Sequence, residues 1–182
     1  AKENVVGEIN GGWAVAMTLL GYERGESAAT MPIMFRYEVD KLLELAKDKG
    51  LSNDPVIRQR LAQIYIEVEL MRLLGMRTLT GFLKGRQPGP QESAFKLYWS
   101  EYHKRVTELS LDILGSEALS LEGSPPSTSF HADNPGAENS SSSWVGAFYN
   151  ARAGTIYAGT SQIQRNILGE MVLGLPKEPR PS

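Results

Sequence analysis

Five apolar residues, Ile57, Leu61, Ile64, Val68 and Met71, recur in 4-3-4-3 spacing between about Pro55 and Leu83. That period returns them to one stripe of an α-helix, the pattern of a seam between packed helices. A helix with such a stripe must bury it against other helices. Asp54 is placed to cap its first turn, and Pro55 occupies the first helical position, where a missing N–H costs nothing.

The neighbouring segments have the same character. From Gly11 to about Lys49 helix formers dominate, with Trp13, Ala16, Met17 and Leu20, then Met31, Phe35, Val39, Leu42 and Ala46, at helical spacing. Pro32 should kink this helix or break it locally, because proline lacks a donor and clashes with the preceding turn. Gly50 and Ser52–Pro55 end it. Lys84–Pro90 reads as a turn, and a third helix follows from about Gln91 to Leu114, with Phe95, Tyr98, Tyr102, Leu109 and Ile113 on one face. Residues 116–143 hold too few apolar side chains to bury and are expected to be a mobile loop. A fourth helix begins near Trp144, with Val145, Phe148, Tyr149 and Ile156 spaced for the core. Tyr157-Ala158-Gly159-Thr160 then breaks the chain before a last helix, which Ser161 and Gln164 should open as an S-x-x-Q capping box. Only Asn4-Val5-Val6-Gly7 hints at a strand.

These readings predict an all-α fold: an antiparallel four-helix bundle with an extra C-terminal helix over residues 11–175. Residues 1–10 read as the remnant of a preceding segment and 176–182 as a polar tail. Long helices joined by short connections build it.

Composition narrows the function. A net charge of -2 gives no reason to expect a nucleic-acid partner, and the absence of Cys excludes disulfides and thiolate-bound metal. No apolar run approaches the roughly 20 residues that span a bilayer, so a soluble, by default cytoplasmic, protein is expected. Neither His103 nor His131 lies in a metal-ligand spacing. His103 reads as a helix-surface residue, His131 as a loop residue, and Arg58 and Arg60 as a solvated face. The Tyr and Trp residues of the third and fourth helices read as core.

Two places could carry chemistry. In the break, Gly159 lets a ligand approach the backbone, and the following helix start offers free N–H groups. In the first helix, continuing the stripe of Trp13, Met17 and Leu20 puts Glu23 or Arg24 on the core-facing side, between Gly21 and Gly25. A carboxylate is thereby directed inward; the plainer alternative is a solvated Glu beside an Arg.

The string Tyr157-Ala-Gly-Thr-Ser-Gln-Ile-Gln-Arg-Asn-Ile-Leu168, running on into Val172-Leu-Gly-Leu-Pro176, resembles the C-terminal signature of the flavin-dependent acyl-CoA dehydrogenases. Glu3–Trp13 is similar to that family's lead-in to its C-terminal helical domain, so the resemblance covers nearly the whole chain. It implies α-proton removal from an acyl-CoA thioester by a Glu, with hydride passing from the β-carbon to FAD. Many members keep that Glu in the break, where this chain has Ala158. Others place it on the first helix, at the position matching Glu23 in Tyr22-Glu23-Arg24-Gly25. One carboxylate in a water-poor pocket has its pKa raised toward working pH, whereas two adjacent ones would repel.

The same resemblance implies Tyr22, Arg24 and Gly159 beside the substrate, and Thr160, Ser161 and Gln162 as flavin contacts. Asp112 and Gly115 fall in the segment that meets flavin across a dimer. That segment departs from the family pattern Gln-x-x-Gly-Gly-x-Gly, reading Asp112-Ile-Leu-Gly115-Ser116-Glu117-Ala118, and the family's Arg-x-x-Phe-Gly motif is replaced by Ala46–Pro55. The implied partners are acyl-CoA, an electron-transfer-flavoprotein-like acceptor and further subunits in a dimer or tetramer. Without the family's N-terminal and β-domains the chain alone is expected to be inactive. The alternative is a non-catalytic partner subunit whose helices serve assembly.

Overall fold

Asp54 does begin a helix. Its side chain accepts from the N–H groups of Val56 and Ile57, both at 2.9 Å, and opens α2 (Pro55–Leu83). A computed structural model describes residues 4–86, 89–119 and 143–177, with the side chains of 21–26 left out of the description. The other helices are α1 (Gly12–Asp48), α3 (Ser93–Leu114), α4 (Trp144–Gly154) and α5 (Ser161–Ile167), and no strand occurs among the described residues. One 3-10 turn, Pro90–Glu92, leads into α3, and a π-helical turn, Leu168–Val172, follows α5.

Cross-links between helices give the bundle its register. Arg36 reaches Glu69 at 3.0 Å, and Arg105 reaches Glu67 at 3.0 Å, so α2 runs antiparallel to α1 and α3. Glu38 meets His103 on the parallel α3, and Arg152 meets Glu108, which lays α4 antiparallel along α3. The predicted seam of α2 is buried in full, facing Phe35, Val39, Leu42 and Ala46 of α1 and Trp99, Tyr102, Val106, Leu109 and Ile113 of α3. The all-α bundle with an added C-terminal helix is the fold of the chain.

Pro32 does not break α1, which is continuous through it. Proline leaves the carbonyl of Ala28 without its helical donor. The fold places Gly75 of α2 against that carbonyl, so close that a Cβ there would lie 2.3 Å from the oxygen. The proline is thus accommodated by a notch in the facing helix, where Cα–H groups approach the freed oxygen.

Several expected core positions are instead exposed. Trp13 is 75% and Met17 42% exposed. With Gly75 opposite Ala28, α2 ends at Leu83 near residue 20 of α1, so the first turns of α1 outrun their neighbour. Tyr149 and Ile156 also face outward, because α4 packs through Trp144, Val145 and Ala151. His103 is not a surface residue: its Nε2 lies 2.9 Å from the buried Glu38 carboxylate. Arg60 is not merely solvated, since it pairs with Asp112 at 2.5 Å. Of the expected mobile loop, residues 116–119 belong to a 3-10 turn, Gly115–Leu119, while 120–142, with His131, lie outside the described residues.

Candidate functional site

The break between α4 and α5 depends on two consecutive residues in the left-handed region, Ala158 at φ 52° and Gly159 at φ 90°. The glycine is required there twice over, since a Cβ would also lie 2.5 Å from the Gln164 amide nitrogen. The cap is not the one expected. Thr160 closes the first turn of α5 by accepting from Ile163 N–H at 3.2 Å, while Ser161 turns inward and donates to Glu101 Oε1 at 2.8 Å. Gln164 is fully buried and donates to the Ala158 carbonyl at 2.9 Å instead of completing a box with Ser161.

Under the break lies the buried ammonium of Lys96, donating to the carbonyls of Gly154 at 2.9 Å and Gly159 at 2.7 Å. The Tyr157 ring leans over it, 6.0 Å from the nitrogen and 6.2 Å from the Trp99 ring. Burial there pushes the Tyr157 phenol above its usual value.

A cavity of about 270 Å³ opens beside this assembly, with Leu20, Ser27 and Met31 on one wall, Phe95 and Trp99 on another, and Tyr157 and Ala158 at the break. α1 and the break therefore share one space. Positions 20, 27 and 31 fall on one stripe of α1, and the helical period puts position 23, with 24, in the turn between Leu20 and Ser27. The side chains of Tyr22, Glu23 and Arg24 themselves lie outside the described residues.

A carboxylate that sequence reasoning missed lines this cavity. Glu92 is 3% exposed, and its Oε2 accepts from Gly89 N–H at 2.7 Å, holding the 3-10 turn before α3. Lys96 and Glu101 were missed too. Their signal was a charged residue set among the apolar positions of α3, the same signal that singled out Glu23.

The residues implied as flavin contacts fit only in part. Thr160 and Gln162 stand partly open, and the N–H groups of Ala158, Gly159 and Thr160 have no backbone partner among the described residues. The Ser161 hydroxyl is already engaged. Asp112 and Gly115 sit at the far end of α3, about 24 Å and about 28 Å from Lys96 at the helical rise, so they do not join the break within one chain.

The family model described as "Acyl-CoA dehydrogenase, C-terminal domain" matches residues 10–173. Acyl-CoA dehydrogenase IpdE1 of Mycolicibacterium smegmatis is 37% identical over 174 residues, covering 96% of this chain and 39% of the relative. Acyl-CoA dehydrogenase FadE34 of Mycobacterium tuberculosis is 29% identical over 96% of this chain and 21% of its own length. Among solved structures, one named Tcur3481-Tcur3483 steroid ACAD superposes with a TM-score of 0.73 at 26% identity, covering 95% of this chain and 42% of that one. The chain thus spans about two fifths of the length of IpdE1. With the helical bundle, the break and a family match across nearly all of its residues, the chain belongs to the acyl-CoA dehydrogenase family and corresponds to its C-terminal domain.

Proposed function

We propose that the protein to which this chain belongs dehydrogenates an acyl-CoA thioester between its α- and β-carbons, with Glu23 as the base that removes the α-proton. The observation that supports this reading is the shared cavity: Leu20 and Ser27, which flank position 23 along α1, and the Tyr157-Ala158 break border one space. Ala158 contributes no competing charge. Leu20, Met31, Phe95 and Trp99 give the acyl part an apolar wall, and Lys96 and Glu92 lie at the same cavity. Exclusion of water by that wall raises the proton affinity of a carboxylate toward neutral pH.

FAD supplies the hydride acceptor when bound. Thr160 and Gln162, with the free N–H groups of the break, would hold it from this chain, and Asp112 and Gly115 would serve the site of a neighbouring copy in a dimer or tetramer. The partner that would take the electrons onward is an electron-transfer-flavoprotein-like acceptor. The acyl group named for the similar solved structure is a steroid, which makes a steroid-side-chain thioester the first substrate to set against a straight-chain one.

Testing begins with the visible spectrum of the intact protein. A flavin spectrum that bleaches on adding an acyl-CoA is the expected result, and Glu23→Gln should abolish the bleach. A specific observation favours a second reading: the Ser161 hydroxyl is engaged by Glu101, and Asp112 is paired with Arg60. On that reading the chain is a non-catalytic partner domain, and the intact protein carries no flavin.

A further inference from the structure

Lys96 is a buried cation whose two described acceptors are backbone carbonyls, one on each side of the break. It is 5% exposed, and its ammonium bonds Gly154 O at 2.9 Å and Gly159 O at 2.7 Å. Those two bonds tie the end of α4 to the far side of the break. Gly154 ends α4, where the last carbonyls carry the negative end of the helix dipole and favour a cation. Gly159 is the residue at φ 90°, and its carbonyl accepts from Lys96 at 2.7 Å and, more weakly, from the Gln164 amide at 3.5 Å.

Peptide planarity sets the consequence. In a trans peptide the carbonyl and the following N–H point in opposite directions. Drawing Gly159 O down to Lys96 turns Thr160 N–H away from α3. Gln164, donating to Ala158 O at 2.9 Å, turns Gly159 N–H away from itself in the same manner. Glu101, just over a turn beyond Lys96 on α3, takes the Ser161 hydroxyl at 2.8 Å. Through Lys96 and Glu101, α3 thus holds both ends of the turn.

We propose that Lys96 is a positioning residue for the reaction: by holding the Gly159 carbonyl it sets the direction of the Gly159–Thr160 peptide, and with it the wall against which the reacting thioester lies. The proposal deepens the dehydrogenase reading and rests on it.

Two variants of the intact protein test it. In Lys96→Met, amide hydrogen exchange at Tyr157 and Ser161, whose N–H groups bond the Ala153 and Thr155 carbonyls across the break, should rise at least about tenfold while the α2 seam at Ile64, Val68 and Met71 stays within about twofold, because the clamp is local. Lys96→Arg keeps the charge but replaces one point donor with a wider planar fork. It should fold as the parent does, with kcat for the acyl-CoA lowered about 10- to 100-fold and KM within about threefold, the signature of lost alignment. Unchanged exchange at the break in Lys96→Met overturns the clamp. Exchange rising equally along α2 makes Lys96 a packing residue and also overturns it. If Lys96→Met does not fold, Lys96→Arg decides: parental kcat overturns the proposal. A parent protein that no acyl-CoA bleaches removes the dehydrogenase reading and the catalytic role together, whereas the exchange experiment still scores the clamp by itself.

Discussion

At the scale of single residues, Glu92 at the cavity and the proposed base Glu23 carry different expectations. Glu92 is spent on the Gly89 N–H, so Glu92→Gln should preserve most of the bleaching by acyl-CoA, while Glu23→Gln should remove it. A bleach that survives Glu23→Gln and disappears with Glu92→Gln would transfer the role of base. A different pair governs stability. Burial by itself pulls the His103 imidazole down, but the charge and hydrogen bond of Glu38 outweigh it, against a smaller opposing effect of Arg152, and hold it above its usual value. A raised folded-state pKa means that the pair stabilises fully below the unfolded value of about 6.5 and loses that contribution as pH climbs through the folded value. The Tm deficit of His103→Gln should therefore be largest near pH 5.5 and shrink above neutrality; a deficit that grows with pH would refute the charged pair. The sequence singles out Glu23 as a polar residue on an apolar stripe. Lys96 and Glu101 carried the same signal, but their meaning lay in carbonyl and hydroxyl partners some 60 residues away, which no local period reveals.

At the scale of elements, the spans of α1, α2 and α3 could be read from capping chemistry and apolar spacing, down to Asp54 and Pro55. Gly50 and Gly85, both at positive φ, end α1 and α2 as expected of residues free to turn left-handed. What could not be read was the pairing of Pro32 with Gly75. A proline predicts local disruption, and only the neighbouring helix shows why none follows. Gly75→Ala should force α1 and α2 apart against the Ala28 carbonyl, at a cost of roughly 2 kcal/mol or more by denaturant unfolding. An unaltered midpoint would mean that the helices shift freely at this crossing. The cap of α5 was misread by one residue because Thr160 and Ser161 are chemically equivalent as caps. Glu101 makes the choice by claiming the serine hydroxyl.

At the scale of the molecule, the described surface carries apolar residues that the bundle does not use. Ile66, Leu70 and Leu73 lie on the side of α2 opposite its seam and are 53%, 45% and 53% exposed. Helix periodicity explains the buried stripe but assigns no purpose to the opposite one. If the intact protein is a dimer or tetramer through its helices, the double change Leu70→Glu and Leu73→Glu should lower its mass in sedimentation while leaving the helical content intact; an unchanged mass would place the subunit contacts elsewhere. The same scale shows what holding the break from below entails. Lys96 and Glu101 secure it to α3, and Gln164 secures it to α5, so the break has no slack with which to swing. It is a fixed jamb, one side of the frame around the 270 Å³ chamber.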